Sequence, residues 1–186
     1  MRRWKLRKIR SIDSSLLDDS ASYLAGLLDG EGAFTIHWHK SNPLYFEPLI
    51  EIGMTHEETI SFVARLLGVS YVTREKKDPF KTMFYTRVTR RADLKIILDA
   101  LKPRLITKRK QAELLLEFLS PEKTPSQKTR MKTLQKQADI YVKLRELNMR
   151  GTKPFDCVKE RESVLGYIQK KLEETSPKKT RTVKKG

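Results

Sequence analysis

The stretch SYLAGLLDGEGAFTI, residues 22–36, joins a short apolar helix to an alternating strand pattern. Its apolar and small residues predict a helix from about Ala21 to Asp29, with Ser20 as the N-cap. Two features oppose this helix. An internal glycine costs about 1 kcal/mol relative to alanine, and the carboxylates of Asp29 and Glu31 lie near the negative end of the helix dipole. A helix with both features needs compensation from a neighbouring element.

Close approach of a second backbone is one such compensation, because Ala25, Gly26 and Gly30 leave no bulk in the way. If the neighbour is a second copy of this helix, one motif per chain implies a twofold dimer. Carboxylates from both chains would then converge and repel one another unless a cation lies among them. Oxygen ligands suit Mg²⁺, so the pattern is typical of a metal-assisted centre for phosphodiester hydrolysis. The alternative is a core helix that ends in a glycine cap with two solvated acids. The predicted dimer-interface residues are Leu24, Ala25, Gly26, Leu28 and Asp29.

The charge balance indicates a nucleic-acid partner. The chain of 186 residues has 39 Lys and Arg against 23 Asp and Glu, a net charge of +16. Such a surplus is the electrostatic footprint of a nucleic-acid binder, although a ribosome-like protein or one at a membrane surface stays an alternative. Cys157 is the only cysteine, which excludes an internal disulfide and suits a reducing, intracellular compartment. No run of 18 apolar residues predicts a membrane span.

The periodicity predicts the fold class. After residue 32, Phe34, Ile36 and Trp38 alternate with polar residues, as in a half-buried strand. From residue 21 the pattern is helix, hairpin, helix, hairpin, helices, with a loop at 41–48 between the first two strands. It predicts an α+β fold, in which helices cover one face of a four-stranded antiparallel sheet. The predicted boundaries are a basic arm at 1–19, the core at 20–120, a C-terminal helical extension at 121–175 and a disordered basic tail at 176–186.

The segment LAGLLDGEG at residues 24–32 resembles the nine-residue motif that names the LAGLIDADG homing endonucleases. It differs at three positions, where Leu28, Gly30 and Glu31 replace Ile, Ala and Asp. The segment TKRKQAELLLEF at 107–118 is similar to the family's K-x-K-Q-A segment. The αββαββα fold of that family has the element order predicted here. A single copy of the motif resembles the homodimeric branch of the family.

The resemblance implies roles for individual residues. Glu31 would bind the divalent metal, Mg²⁺ with Mn²⁺ or Ca²⁺ able to occupy the same site, and the carbonyl of Gly30 would join the coordination. Asp29 is a weaker candidate ligand that would support the helix end. Lys108, which opens K-x-K-Q-A, is an active-site residue in the family and would stabilise negative charge in the transition state. His56 stands where the family often has a glutamine that orients the attacking water.

Strand parity predicts a DNA-reading face on the sheet. A curved antiparallel sheet can lie in the major groove, where each base pair presents a distinct donor and acceptor pattern. Glu51 and Glu75 look out of place in so basic a protein unless they accept from a cytosine amine, and on the last strand either Arg87 or Thr86 faces the ligand. Basic loop residues would bind phosphates. The predicted DNA-binding residues are Thr35, His37, His39, Lys40, Asn42, Tyr45, Glu47, Glu51, Tyr71, Thr73, Glu75, Lys76, Lys77, Lys81, Arg87 and Lys110.

Together these features predict a site-specific DNA endonuclease. As a homodimer it would make a staggered double-strand break in a long pseudo-palindromic site, for intron homing. The alternative is a non-cleaving protein of the same fold, either a maturase that binds intron RNA or a DNA-binding regulator. Glu31 and Lys108 favour the endonuclease. His56, and Ile60 where the family tends to have a basic residue, keep the alternative open.

Overall fold

The computed structural model describes residues 3–4, 12, 14–75, 81–120, 127–149 and 155–175. Five strands form one antiparallel sheet in the order β1-β4-β5-β3-β2. The predicted α+β class is therefore confirmed, with the two-residue β1 added at one edge of the four-stranded sheet. The elements are β1 (Arg3–Trp4), α1 (Ser14–Glu31), β2 (Gly32–His39), β3 (Asn42–Met54), α2 (Glu57–Leu66), β4 (Tyr71–Arg74), β5 (Met83–Val88), α3 (Arg91–Leu101), a 3₁₀ turn (Lys102–Arg104), α4 (Arg109–Leu119), α5 (Gln127–Leu147) and α6 (Cys157–Thr175).

Helix α1 begins seven residues earlier than the sequence pattern predicted. Leu17, Ala21, Leu24 and Leu28 recur at helical spacing and are at most 1% exposed, so one continuous apolar stripe runs along α1 into the core. Ser20 lies inside this helix, and its prediction as the N-cap was wrong. The first turns of α1 are therefore core structure, which the predicted boundary at residue 20 had left in a basic arm.

Strand β3 includes most of the segment that was predicted to be a loop. Proline in that segment suggested a break, yet Pro48 lies opposite Ile36 of β2. Strand β5 pairs with β3 only from Ile50 onwards, so the earlier half of β3 has a single neighbour. A proline is tolerated in a strand where its missing N–H faces no partner.

The C-terminal helices belong to the hydrophobic core. Ala138 and Leu144 of α5 and Val164 and Ile168 of α6 are at most 1% exposed, and they join the same cluster as α1 and the sheet. Within the described residues, α5 and α6 therefore pack against the sheet and brace it. No described helix has the length and apolar character needed to cross a membrane.

An aromatic cluster ties the β2–β3 hairpin to these helices. The Trp38 ring lies 6.4 Å from Phe46 across the hairpin, 6.1 Å from Tyr141 of α5 and 5.9 Å from Tyr167 of α6, measured between ring centroids. Asn148, which follows α5, donates a hydrogen bond from Nδ2 to the carbonyl of Phe34 at 2.7 Å. The hairpin is thus held on the core by side chains that lie more than a hundred residues further along the chain.

Candidate functional site

The site is built where α1 ends and β2 begins. The chain turns sharply there, because a Cβ added at Gly32 would lie 2.8 Å from Leu28 Cα and 2.9 Å from the Leu28 carbonyl oxygen. Real Cβ atoms do not approach backbone that closely, so this position requires glycine. The last glycine of LAGLLDGEG thus places the strand directly against the end of the helix.

Lys108 closes this corner from the other side. Its ammonium group donates hydrogen bonds to the carbonyl oxygens of Leu28 and Gly32, both at 2.7 Å, and its side chain is half-buried. Carbonyl groups in the last turn of a helix lack partners inside the helix, and a cation is favourable at that end of the dipole. A lysine nearly eighty residues away therefore compensates the helix end that the sequence pattern had marked as unfavourable.

Asp29 is directed at the segment that carries Lys108. Its carboxylate accepts hydrogen bonds from the backbone N–H of Ile106 at 2.7 Å and of Lys108 at 2.9 Å, one on each oxygen. Lys108 is the N-cap residue of α4, where a negative charge is stabilised. Asp29 is thus near the C-terminus of α1, where a negative charge is unfavourable, and also at the N-terminus of α4, where it is favourable. The geometry does not support the predicted role of Asp29 as a metal ligand.

Glu31 differs from Asp29 in its surroundings. It is the last residue of α1, its side chain is exposed, and no described residue forms a hydrogen bond or an ion pair with its carboxylate. Gly30 is exposed beside it, and its carbonyl group belongs to the last helical turn, which lacks intrahelical partners. A carboxylate and a carbonyl oxygen are ligands that Mg²⁺ accepts. Within the described residues no group of three or more His, Cys, Asp or Glu side chains could hold a metal.

His56 lies just after β3 as the N-cap of α2. Its Nδ1 accepts a hydrogen bond from the backbone N–H of Thr59 at 3.3 Å and lies 2.8 Å from the Thr59 hydroxyl oxygen. The side chain is exposed. The geometry gives His56 a structural role at the helix start, and a role in orienting water stays a prediction.

The exposed face of α1 holds only part of the predicted dimer interface, Gly26. Leu24, Ala25 and Leu28 are 0–1% exposed in the core of their own chain, so the prediction that they contact a partner was wrong. Gly26 and Gly30 lie on the exposed face, and a Cβ at either position would meet nothing within 4 Å. Nothing inside the described chain explains why these two positions are glycine. Tyr23, 49% exposed, lies on the same helical face and packs its ring edge-on at 5.9 Å from Phe62.

The face of the sheet opposite the helices contains a charged concavity of about 280 Å³. Glu51 of β3 and Arg87 of β5 are cross-strand neighbours on this face, and Arg87 donates to Glu51 Oε2 from Nε at 3.0 Å and from Nη2 at 2.5 Å. Glu51 therefore has a partner inside the protein, so the presence of this acid does not require a contact with a DNA base. Thr86 is buried and donates to the carbonyl of Ser70, so of these two neighbours on β5 it is Arg87 that faces outward.

The predicted parity of β4 was wrong. Tyr71 faces the helices, where its hydroxyl donates to Glu57 at 2.6 Å and its ring lies 6.3 Å from that of Phe84. Thr73, opposite Phe84, occupies the same face as Tyr71. The outward positions of β4 are Val72 and Arg74, which line the concavity, and the Arg74 guanidinium lies 4.9 Å from the centre of the Tyr85 ring. The four residues of β4 are too few for an alternation to reveal which face is buried, so Arg74 was missed. Tyr85 was missed because the pattern of β5 left its parity open.

Most of the other predicted DNA-binding residues lie around the β2–β3 hairpin, whereas Lys110 lies on α4 beside α5. Thr35, His37 and Glu47 are half-buried on the strands, and Lys40 lies in the turn with its ammonium 5.2 Å from the Tyr167 ring. Lys76 and Lys77 lie outside the described residues. The exposed members of the set are His39, Lys40, Asn42, Tyr45, Glu75, Lys81, Arg87 and Lys110.

His37 is the residue of this face whose protonation the fold disfavours. Burial lowers its pKa below the ordinary histidine value of 6.5, and the positive charge of Arg87 acts in the same direction. Glu47, whose carboxylate lies 3.9 Å from His37 Nδ1, and Glu51 oppose that shift without cancelling it. His37 is therefore biased towards the neutral form on the sheet surface.

By sequence, no protein-family model and no curated protein matches the chain. By structure it is similar to homing endonucleases solved with DNA. One is I-CvuI in complex with the I-CreI target, with a TM-score of 0.60 and 21% identity over 82% of this chain and 96% of that chain. Another is I-Vdi141I, an archaeal intron-encoded homing endonuclease complexed with DNA, with a TM-score of 0.59 and 18% identity over 82% and 96%. A third is the LAGLIDADG homing endonuclease I-GzeII in complex with its DNA target, with a TM-score of 0.55 and 16% identity over 83% and 58%. The chain therefore has the homing-endonuclease fold.

Proposed function

We propose that the protein is a site-specific DNA endonuclease that makes a staggered double-strand break for intron homing. The observation that carries the proposal is the corner at the end of α1. The Lys108 ammonium is fixed there on two carbonyl groups, and Glu31 is exposed at the same helix end. The exposed carboxylate can bind a divalent cation. The fixed ammonium can stabilise negative charge on a phosphodiester.

Glu31 and the carbonyl of Gly30 would hold a divalent cation, and Mg²⁺ suits this oxygen donor set. When bound, the cation would supply Lewis-acid stabilisation of charge on the phosphoryl group. The held ammonium of Lys108 would stabilise the negative charge that develops on the phosphate oxygens. The carbonyl groups that hold Lys108 restrict where its ammonium can lie.

A second copy of the chain would complete the site. One chain offers a single exposed carboxylate at this corner, whereas both strands of a duplex must be cut. Gly26 and Gly30 leave open space along the exposed face of α1, which supports close packing against the same helix of a partner. A twofold dimer would present two cleavage corners and two sheets to a pseudo-palindromic site.

The outer face of the sheet would read the DNA. Arg74, Arg87 and Glu51 project from adjacent strands into one concavity, and arginine is the residue that most often contacts guanine in the major groove. The net charge of +16 would add phosphate contacts, so affinity should fall steeply with salt. The homing endonucleases of this fold named above were solved with DNA bound, which supports this arrangement.

The test is cleavage of DNA that carries the intron-free insertion locus of the gene, with and without Mg²⁺. A discrete double-strand cut by the wild type is expected. Glu31→Gln should abolish cutting and leave DNA affinity nearly unchanged, because it removes a charged ligand and keeps the shape of the side chain. Glu58→Gln, which changes an exposed acid at the start of α2, is the matched control and should cut normally. Equal activity of wild type and Glu31→Gln would overturn the proposal.

The second candidate is a non-cleaving maturase or DNA-binding regulator of the same fold. His56 favours it, since its Nδ1 is engaged in capping α2. Tight binding to the intron RNA, with no cleavage of the locus in Mg²⁺, would support this candidate.

A further inference from the structure

We propose that Asp29 is a positioning residue, which fixes the backbone from which Lys108 reaches the end of α1, and that it does not ligate the metal. The catalytic consequence rests on the proposed nuclease function. The hydrogen-bonded geometry of Asp29 and Lys108 does not depend on that function.

The first step is the set of contacts made by Asp29. Its two oxygens accept the N–H groups of Ile106 and Lys108 at 2.7 and 2.9 Å, so both ends of the carboxylate are engaged by the segment that precedes α4. Hydrogen bonds from backbone N–H to an ionised carboxylate are stronger than neutral ones. Lys108 occupies the N-cap position of α4, where it forms no side-chain capping bond. Asp29, from another helix, instead accepts the N–H groups just before the first turn of α4.

The second step is the return contact. Lys108 Nζ donates to the carbonyl groups of Leu28 and Gly32, the residues that bracket Asp29. Four hydrogen bonds therefore link the corner between α1 and β2 to the segment 106–108, and that segment donates all of them, two from backbone N–H groups and two from the Lys108 ammonium. A lysine has a long and flexible side chain, so the place of its ammonium depends on where its backbone is fixed. Asp29 fixes that backbone.

The third step is the division of roles between the two motif acids. Residues two apart on a helix point roughly 200° apart around the axis. Asp29 accordingly meets the α4 segment, while Glu31 is exposed and has no described partner. One acid holds the lysine, and the other is left for a ligand.

Asp29→Asn tests this inference, with Glu31→Gln and Lys108→Met as companions. The carboxamide keeps the shape but presents a donor to one of the two N–H groups, so one bond is lost. The single-turnover cleavage rate should fall by roughly 10–100-fold, since a displaced supporting group costs about this much. The DNA Kd and the Mg²⁺ concentration for half-maximal rate should each stay within about twofold, as a residue acting on Lys108 touches neither ligand.

A double-mutant cycle separates positioning from metal binding. Adding Asp29→Asn to Lys108→Met should slow cleavage by no more than about twofold further, because residues that act as a unit are not additive. Effects that multiply, or a rise of about tenfold or more in the Mg²⁺ requirement of Asp29→Asn, would show that Asp29 binds the metal. Either result overturns the inference.

Hydrogen exchange tests the inference even if the wild type cuts no DNA, the result that would end the nuclease proposal. The Ile106 side chain is 84% exposed, and the Asp29 carboxylate is the described acceptor of its amide. This amide should be protected in the wild type and in Glu31→Gln, and it should exchange about tenfold faster or more in Asp29→Asn. Equal protection in all three proteins overturns the inference. If Asp29→Asn does not fold, exchange of the wild-type Ile106 amide at the free-peptide rate overturns it, and protection supports it.

Discussion

Gly32 and Leu28 are in backbone contact at the turn from α1 to β2: a Cβ on Gly32 would lie 2.8 Å from Leu28 Cα and 2.9 Å from its carbonyl oxygen. That carbonyl and the one of Gly32 both receive hydrogen bonds from Lys108. A change at this contact therefore alters the chain turn and the lysine site together.

We expect Gly32→Ala to destabilise the protein by about 1–3 kcal/mol, because the added carbon meets backbone that cannot rotate away. The free energy of unfolding in urea measures this. Gly166→Ala in α6 is the matched control, since a Cβ there would meet nothing within 4 Å, and alanine should stabilise that helix by up to about 1 kcal/mol. Equal effects at the two glycines would contradict the steric account.

If the proposed dimer packs through the exposed face of α1, Gly26→Leu should abolish self-association and leave the monomer folded. The position is exposed with open space around it, so the leucine fits its own chain, but it would hold a partner helix away. Sedimentation equilibrium and far-UV circular dichroism give the two readouts. Gly166→Leu adds the same side chain to another helix and should not change association. A Gly26→Leu protein that still dimerises would place the interface elsewhere.

Ile168→Ala in α6 should lower the free energy of unfolding by about 2–5 kcal/mol, the usual cost of a cavity in a core. Ile168 is 0% exposed, whereas Val158 on the same helix is 67% exposed. Val158→Ala should therefore change stability by no more than about 0.5 kcal/mol. Similar small effects for both variants would mean that α6 does not brace the core in solution.

His37 should make the protein less stable at acidic pH. Burial and the charge of Arg87 lower its pKa in the folded state, so the unfolded chain binds the proton more readily. The contribution of His37 to stability is therefore present above the unfolded pKa of roughly 6.5 and is lost as pH falls through the lower folded pKa. Urea unfolding of wild type and His37→Gln at about pH 8 and about pH 5, either side of that value, should show a smaller loss in the variant. An equal loss in both proteins would exclude His37 as a source.

Arg87 and Lys81 should affect DNA binding in different ways. Arg87 projects into the concavity of the sheet beside Glu51, so Arg87→Ala should reduce discrimination at one base pair by about 1–3 kcal/mol. Lys81 is exposed before β5, and Lys81→Ala should lower the salt slope of log Kd by about 0.9. Binding to single-substituted sites over a salt series measures both. A uniform loss of affinity across all sites in Arg87→Ala would indicate a phosphate contact.

The sequence predicted the element order because its long periodic segments are unambiguous. The stripe of Ile60, Val63 and Leu66 in α2 ends before Gly68, which adopts a φ of 63°, a conformation that suits glycine. Local sequence cues gave wrong element boundaries where tertiary contacts override them. Ser20 resembles a helix cap, but the buried Leu17 extends α1 beyond it.

The candidate site was predicted in its residue types and only partly in its geometry. Glu31 and Lys108 lie at the same corner, as the motif implied. The sequence could not show that Asp29 binds the amide groups of a segment nearly eighty residues away, because nothing in local spacing encodes that contact. In the same way, the burial of Leu24 and Leu28 inside their own chain depends on which face of α1 the sheet covers.

The hydrogen bond from Asn148 to the carbonyl of Phe34 spans 114 positions of the chain. Strand β2 therefore remains without this contact until α5 has been synthesised. A ribosome carrying a nascent chain that stops short of Asn148 would hold a hairpin that lacks this attachment, so the full support of β2 arises late in translation.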